Sequence, residues 1–186
     1  MRLNLADDSG NIRVKFKSAK ADAKKMGHVT NGAWRDGKGK AYEGGHRVPF
    51  IARWPERIKP GSVSSCTFNL TDLFATAADI VKREIPVDAG EDSISLLPVL
   101  LGKQDHIADR EAIFVLGNGK DSAIAVCTGR WKLIVRYGDE EDRGHELYDL
   151  ENDPGELTDL SDQSPEVMQH LLGAFNEAES AGQTRK

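Results

Sequence analysis

The chain has 186 residues, of which 39% are hydrophobic, 30% charged and 6% aromatic, which is typical of a globular domain and not of a disordered or fibrous protein. No apolar run approaches the roughly 20 residues that a membrane span needs, and no apolar signal segment follows Met1, so we expect neither feature. The net charge of −5 divides into an excess of basic residues over 1–60 and of acidic residues over 61–186. Aromatic residues hardly interleave with the basic segment, so we expect no nucleic-acid partner.

The first half of the chain shows a glycine-rich stretch followed by two short apolar segments. Residues 31–47 contain five glycines, which allow the backbone to approach a ligand closely or simply to turn. The apolar run at 48–54, stopped by Pro55, predicts a buried strand. Thr71 is placed to cap a helix that ends before Pro86, and a second apolar segment follows at 96–101.

The second half predicts an antiparallel sheet and a terminal helix. Residues 112–116 and 147–150 are expected to be strands, and 123–137 a β-hairpin, because apolar and other residues alternate along 131–137. A helix is predicted from Pro165 to about residue 178, and residues 179–186 are expected to fray. Its apolar face consists of Val167, Met168, Leu171, Leu172 and Phe175. The predicted fold class is α+β, an antiparallel sheet with packed helices.

Residues 37–55, GKGKAYEGGHRVPFIARWP, resemble the second signature region of the type I sulfatases (arylsulfatases). In that region four residues separate a lysine from E-G-G, and R-V-P, an apolar run and W-P follow. The segments TDL at 71–73, RWKL at 130–133, ELYDL at 146–150 and DPGE at 153–156 also resemble the family. The resemblance covers roughly residues 26–178 and is similar in texture to bacterial N-acetylgalactosamine-6-sulfatase-like enzymes. It implies a C-terminal portion of an α/β, alkaline-phosphatase-like fold.

The resemblance implies roles for four residues of this region. Lys38 occupies the position of the lysine that contacts sulfate, and a compact ammonium suits a sulfate oxygen and the charge that develops on a leaving oxygen. Glu43 is expected to brace the turn or to pair with Arg47, and His46 and Arg47 to orient the loop. The residues alone favour a solvated loop lysine at position 38, and Glu43 could be a surface carboxylate. The implied partner is a sulfated small molecule or glycan.

The nucleophile of the type I sulfatases has no counterpart in this sequence. The family uses a formylglycine made from the Cys or Ser of a C/S-x-P-S/A-x-R motif, and neither Cys66 nor Cys127 lies in that context. We therefore expect a C-terminal fragment of a sulfuric ester hydrolase that is inactive alone. Two alternatives are a non-catalytic binding module and a phosphatase-like or phosphonate hydrolase relative, against which the E-G-G-x-R-V-P block argues.

Asp7 and Asp8 are candidate metal ligands. The segment around them resembles either the opening D-D-x-G metal motif of the family or its later S-D-N/H-G motif, and an ordinary polar terminus is the third possibility. Carboxylates are suitable ligands for Ca²⁺, the metal that the resemblance implies, although two alone bind it weakly.

The resemblance also divides the chain into three parts. Residues 1–60 are expected to end the catalytic domain and to carry the lysine loop, 61–111 to form a helix and a connection, and 112–186 to form the C-terminal sheet subdomain. The sequence leaves the cellular compartment open.

Overall fold

The computed structural model describes residues 25–108, 110–117, 123–137 and 144–185. The chain divides into two compact units, residues 1–33 and 34–186. In the described part of the first unit, the amide of Gly32 donates a hydrogen bond to the carbonyl of Val29 at 3.2 Å, which closes a turn. The architecture below is that of the second unit.

A four-stranded antiparallel sheet forms the centre of the second unit, with its strands in sequential order. The strands are β1 (Ile113–Gly117), β2 (Ala123–Cys127), β3 (Trp131–Arg136) and β4 (Glu146–Asp149). In the predicted hairpin, Val126 pairs with Leu133 and Ala123 with Arg136. The two strands and the hairpin predicted in the second half of the chain are therefore confirmed, with their ends shifted by at most one residue.

One face of the sheet is covered by the terminal helix, as predicted. Four helices are described: α1 (Glu43–His46), α2 (Asp72–Ile80), α3 (Leu97–Leu100) and α4 (Pro165–Ala181). Leu171 and Phe175 of α4 pack with Leu133, Val135 and Leu147 in one buried apolar cluster. The helix uses the apolar face that its sequence spacing predicts.

The opposite face of the sheet is covered by residues that precede it in the chain. Ala41 and Tyr42 pack against Ile134 and Tyr148, together with small side chains of β2. Side chains of a strand alternate between the two faces, so β3 directs Leu133 toward α4 and Lys132 toward the glycine-rich region. The sheet thus holds the segment that contains Lys38.

Helix α2 is fixed by a serine that lies well after it in the chain. Thr71 occupies the predicted N-cap position, but its side chain makes no capping bond. Instead the hydroxyl of Ser93 accepts from the amide of Ala75 at 2.8 Å and donates to the carbonyl of Thr71 at 2.7 Å. The side chain of Ser93 thus ties the first turn of α2 to a segment that follows the helix.

Asp72 anchors the start of α2 to two neighbouring segments. Its fully buried carboxylate accepts hydrogen bonds from the amide of Asn69 at 2.8 Å and from the amide of Ile94 at 3.0 Å. The guanidinium of Arg110 pairs with the same carboxylate. The TDL segment thus has a structural role in this unit.

The predicted strand at residues 48–54 is wrong. No strand is assigned there, and Val48 and Ile51 are exposed, Ile51 to 92%. Phe50 packs edge-on against Phe68, with ring centroids 4.8 Å apart. An apolar run forms a buried strand only when another strand completes its hydrogen bonds, and no described residue does so here.

The expected fraying of the last residues is also wrong for the part that is described. Helix α4 continues to Ala181 and ends at Gly182, whose φ of 66° suits a left-handed cap. Beyond it, the amide of Arg185 donates to the carbonyl of Glu91 at 2.8 Å, and its guanidinium donates to the carbonyl of Ala89 at 2.8 Å.

Among the described residues, no helix has the length and apolar content to cross a membrane.

Candidate functional site

Lys38 lies near the tip of a closed loop. We name residues 36–42 the lysine loop; it is flanked by Arg35 and Glu43. The amide of Gly44 donates to the carbonyl of Arg35 at 2.8 Å, which joins the two ends of the loop. Lys38 is exposed, and within the described part of the chain its ammonium has no hydrogen-bond or ion-pair partner. Its charge is therefore available to an anion from solution.

Gly45 allows the loop to close. A Cβ atom at this position would lie 2.1 Å from the carbonyl oxygen of Lys40 and 3.0 Å from that of Gly37. Both contacts are with the backbone of the lysine loop, so a side chain at Gly45 would force the loop open. The glycines of this segment thus serve a close backbone approach.

Three acceptors surround the ammonium of Lys132, which is buried below the loop with 0% exposure. Its Nζ donates to Oε1 of Glu43 at 3.0 Å, lies 2.8 Å from Oε1 of Glu156, and lies 3.0 Å from Nε2 of His46. Arg47 donates from Nε to Oε2 of Glu43 at 2.5 Å. We name these five residues the buried ion cluster: Glu43, His46, Arg47, Lys132 and Glu156.

The charges of this cluster balance, with Lys132 and Arg47 against Glu43 and Glu156. Burial opposes ionisation of Glu43, but its two cationic neighbours outweigh burial and hold the pKa of Glu43 below its usual value. Glu156 shares only Lys132, and burial raises the pKa of Glu156. The difference follows from the additional pairing of Glu43 with Arg47.

His46 is neutral in this setting. Burial, and next the charge of Lys132, lowers the pKa of His46 to about 4. Its Nε2 lies 3.0 Å from Nζ of Lys132, which can only donate, and 3.2 Å from the carbonyl oxygen of Ala41, which can only accept. With the ring proton on Nδ1, Nε2 accepts from Lys132; with the proton on Nε2, it donates to Ala41.

A second network holds the residue before the lysine loop. Nη1 of Arg35 donates to the hydroxyl of Tyr148 at 2.8 Å and to the backbone carbonyl of Glu156 at 2.8 Å. The guanidinium also stacks 3.8 Å from the ring centroid of Tyr42. Tyr42 and Tyr148 both donate to Oε2 of Glu146, at 2.8 and 2.6 Å.

The structure brings three of the predicted site residues together and leaves one apart. Glu43, His46 and Arg47 meet in the buried ion cluster, whereas Lys38 is exposed on the loop above it. The interpretation of Glu43 as a surface carboxylate is wrong, because it is 3% exposed. The roles of all four residues in catalysis stay predictions.

Sequence reasoning missed Lys132 and Glu156. Both belong to segments, RWKL and DPGE, that carry the resemblance, but a charged residue alternating with apolar ones on a strand normally faces solvent. The sequence did contain one indication, the apolar Ile134, which lies two residues after Lys132 and therefore on the same face of β3. An apolar side chain on that face indicates that the face is buried.

The predicted metal ligands Asp7 and Asp8 lie outside the described residues. Within the described ranges, no group of three or more His, Cys, Asp or Glu side chains is placed to hold a metal ion. Both cysteines are free, and burial raises the pKa of the Cys127 thiol to about 12. Cys127 is therefore a buried thiol that packs in the sheet.

Residues 32–180 match the family described as N-sulphoglucosamine sulphohydrolase, C-terminal. The chain is 36% identical over 156 residues to an N-acetylgalactosamine-6-O-sulfatase of Bacteroides thetaiotaomicron, an alignment that covers 78% of the chain and 30% of that relative. It is 29% identical over 181 residues to the steryl-sulfatase of Mus musculus, covering 84% of the chain and 29% of that relative. The chain thus spans about 30% of the length of each of these two relatives.

Solved structures share the fold. One, described under the metabolism of multiple glycosaminoglycans by Bacteroides thetaiotaomicron, matches with a TM-score of 0.74 and 34% identity, covering 87% of this chain and 35% of that chain. A second, solved in complex with its substrate D-glucosamine-2-N,6-O-disulfate, matches with a TM-score of 0.58 and 27% identity, covering 72% of this chain and 29% of that chain. The expected α+β architecture is confirmed by these neighbours and by the sheet described above.

Proposed function

Since the chain belongs to the sulfatase family, we propose that it is the C-terminal part of a sulfuric ester hydrolase and that Lys38 is its contact to the sulfate group. The observation that carries the proposal is the geometry of the lysine loop. The loop presents an exposed ammonium, without a partner among the described residues, on a backbone whose two ends are joined by a hydrogen bond.

Lys38 would act on charge that appears during the reaction. When the S–O bond of a sulfate ester breaks, negative charge grows on the leaving oxygen and stays on the sulfate oxygens. An ammonium fixed beside these oxygens stabilises the transition state more than the ground state. The nucleophile, which the resemblance implies to be a formylglycine, would be supplied outside this chain. The chain alone is then expected to be inactive.

Exposed apolar side chains support a larger functional protein. Helix α2 buries Asp72, Ala75 and Thr76 but leaves Leu73 and Phe74 about half exposed. Large apolar patches on a protein surface commonly mark interaction sites. We propose that the catalytic part of the sulfatase covers this face.

We also propose a metal site and a class of substrate. Asp7 and Asp8 would contribute carboxylates to a Ca²⁺ site, and the further ligands would come from outside this chain. The relative from Bacteroides thetaiotaomicron is named for a sulfated sugar, and the relative from Mus musculus is named for a steryl sulfate. The higher identity to the sugar sulfatase supports a sulfated sugar as substrate.

A fusion enzyme tests the proposal. The N-terminal part of the Bacteroides thetaiotaomicron relative is joined to this chain, which replaces the region that aligns with it. We expect the fusion to hydrolyse N-acetylgalactosamine-6-sulfate, and Lys38→Ala to lower its rate roughly a hundred- to thousand-fold, as loss of one donor to a developing oxyanion does.

Lys59→Ala is the matched control, because Lys59 is another exposed lysine outside the lysine loop. Full activity of the Lys38→Ala fusion would overturn the role of Lys38. A folded fusion without any activity would favour the non-catalytic module instead.

A further inference from the structure

Glu156 contacts both ends of the lysine loop. Its backbone carbonyl accepts from Arg35 at 2.8 Å, on the N-terminal side of the loop. Its Oε2 accepts from the backbone amide of Glu43 at 2.7 Å, on the C-terminal side. Glu156 therefore holds the backbone on both sides of the loop that carries Lys38.

Lys132 reinforces the same connection. It bridges Oε1 of Glu156 to Oε1 of Glu43, at 2.8 and 3.0 Å. The carboxylate of Glu156 is thus held by the amide of Glu43 and by Lys132, and the carboxylate of Glu43 is held by Lys132 and by Arg47.

This arrangement is an inefficient way to gain stability. Removing three ionic groups from water costs free energy that their mutual attraction often fails to recover, so a buried ion cluster is weak evidence for a gain in stability. Glu156 also has a φ of 54°, a left-handed conformation that a side chain other than glycine seldom adopts. Such a strained backbone conformation is kept only where several contacts with the surrounding structure hold it, and these places are frequently next to functional groups.

We propose that Glu156 and Lys132 are positioning residues that clasp the two ends of the lysine loop and so fix the place of Lys38. The proposal rests on the proposed function in one respect, namely that Lys38 contacts the substrate. Neither positioning residue touches the substrate. Both act through the backbone of residues 35–43.

Hydrogen exchange on this chain tests the clasp without reference to catalysis. The variant is Glu156→Gln, which keeps the shape of the side chain and removes its charge. The amide of Gly44, which closes the loop on Arg35, is compared with the amides of the sheet. We expect exchange at Gly44 to accelerate at least tenfold more than exchange in the sheet.

Leu133→Ala is the matched control. Leu133 is adjacent to Lys132 on β3 and equally buried, but it faces α4. Its loss weakens the unit as a whole, so exchange at Gly44 and in the sheet should rise by similar factors. If Glu156→Gln behaves like this control, with no selective opening of the loop, the clasp is refuted.

A double-mutant cycle in the fusion enzyme tests the action through Lys38. We expect Glu156→Gln to lower kcat/KM at least tenfold when Lys38 is present and less than threefold in the Lys38→Ala background. A purely structural role would lower both by the same factor, and that result overturns the positioning role.

The two proposals fail in different ways. If Lys38→Ala alone leaves the fusion fully active, the proposed sulfate contact is wrong, and the exchange experiment still decides whether Glu156 clasps the loop. If Lys38→Ala is damaging but Glu156→Gln gives neither selective exchange nor coupling, only the clasp is wrong.

Discussion

Gly45 and Lys40 approach so closely that a Cβ atom on Gly45 would lie 2.1 Å from the carbonyl oxygen of Lys40. Cβ atoms in real proteins are essentially never found so close to a backbone oxygen. The lysine loop can therefore close in this way only if residue 45, in the E-G-G segment, is a glycine.

Gly45→Ala and Gly173→Ala should change stability in opposite directions. Both glycines lie in helices, α1 and α4, but no heavy atom comes within 4 Å of a Cβ at Gly173. Gly173→Ala is expected to stabilise by about 0.5–1 kcal/mol through the lower backbone entropy of the unfolded chain. Gly45→Ala is expected to destabilise, because the backbone of residues 37–40 must move. Urea unfolding measures both, and a stabilised Gly45→Ala variant would contradict the close approach.

Asp72→Ala should be far more damaging than Asp79→Ala, although both aspartates lie on α2. Loss of Asp72 leaves two partly buried amides and the guanidinium of Arg110 without their acceptor, which is expected to cost about 3–5 kcal/mol of unfolding free energy. Asp79 is exposed, and among the described residues its carboxylate bonds only to Ser95, at 2.7 Å, so its loss should change stability by about 0.5 kcal/mol or less. Similar unfolding midpoints for the two variants would show that Asp72 is not an anchor.

His46 should make stability fall as the solution is acidified. Its pKa is about 4 in the folded chain and about 6.5 when unfolded. Between these values the unfolded state binds the extra proton, so stability is lost as the pH falls from 6.5 toward 4, by roughly 3 kcal/mol in total. His46→Gln keeps an acceptor for Lys132 and cannot titrate.

The measurement is the difference in unfolding free energy between the wild-type chain and His46→Gln at pH 8, 6.5, 5 and 4. We expect the wild-type chain to lose stability relative to the variant on acidification. A constant difference over this range would show that His46 is protonated as readily in the folded chain as in the unfolded one.

Lys38→Ala should leave the fold intact. The side chain is exposed and has no partner among the described residues, so we expect the unfolding free energy to change by about 0.5 kcal/mol or less. Lys38→Arg should be equally stable, yet it should not restore full activity in the fusion, because a planar guanidinium differs in shape from a compact ammonium. Thermal unfolding of the three proteins provides the check, and a large loss of stability would mean that Lys38 is structural.

Local patterns predicted most of the sheet and its helix, because periodicity reports which face of an element is buried. The alternation along β3 predicts that Leu133 and Val135 share a face, and both pack under α4. The same pattern could not show that Lys132 is buried as well. Its partners, Glu43 and Glu156, come from segments far apart in the chain, and no local rule joins them.

Two other errors have the same origin. Residues 48–54 have the composition of a buried strand, but composition does not supply a neighbouring strand. The cap of α2 comes from Ser93, about twenty residues after the helix begins, and not from Thr71, which has the preferred residue type at the preferred place. In each case a long-range contact replaced a local preference.

The contact between Glu43 and Glu156 joins residues 113 positions apart, and this separation has a consequence for the timing of synthesis. At roughly 5–20 residues per second, a ribosome needs on the order of 6–23 seconds to make the intervening chain. During that interval the lysine loop is already made, but the carboxylate that joins its ends is not. The loop that is proposed to meet the substrate therefore waits for Glu156 to be synthesised before both of its ends can be held.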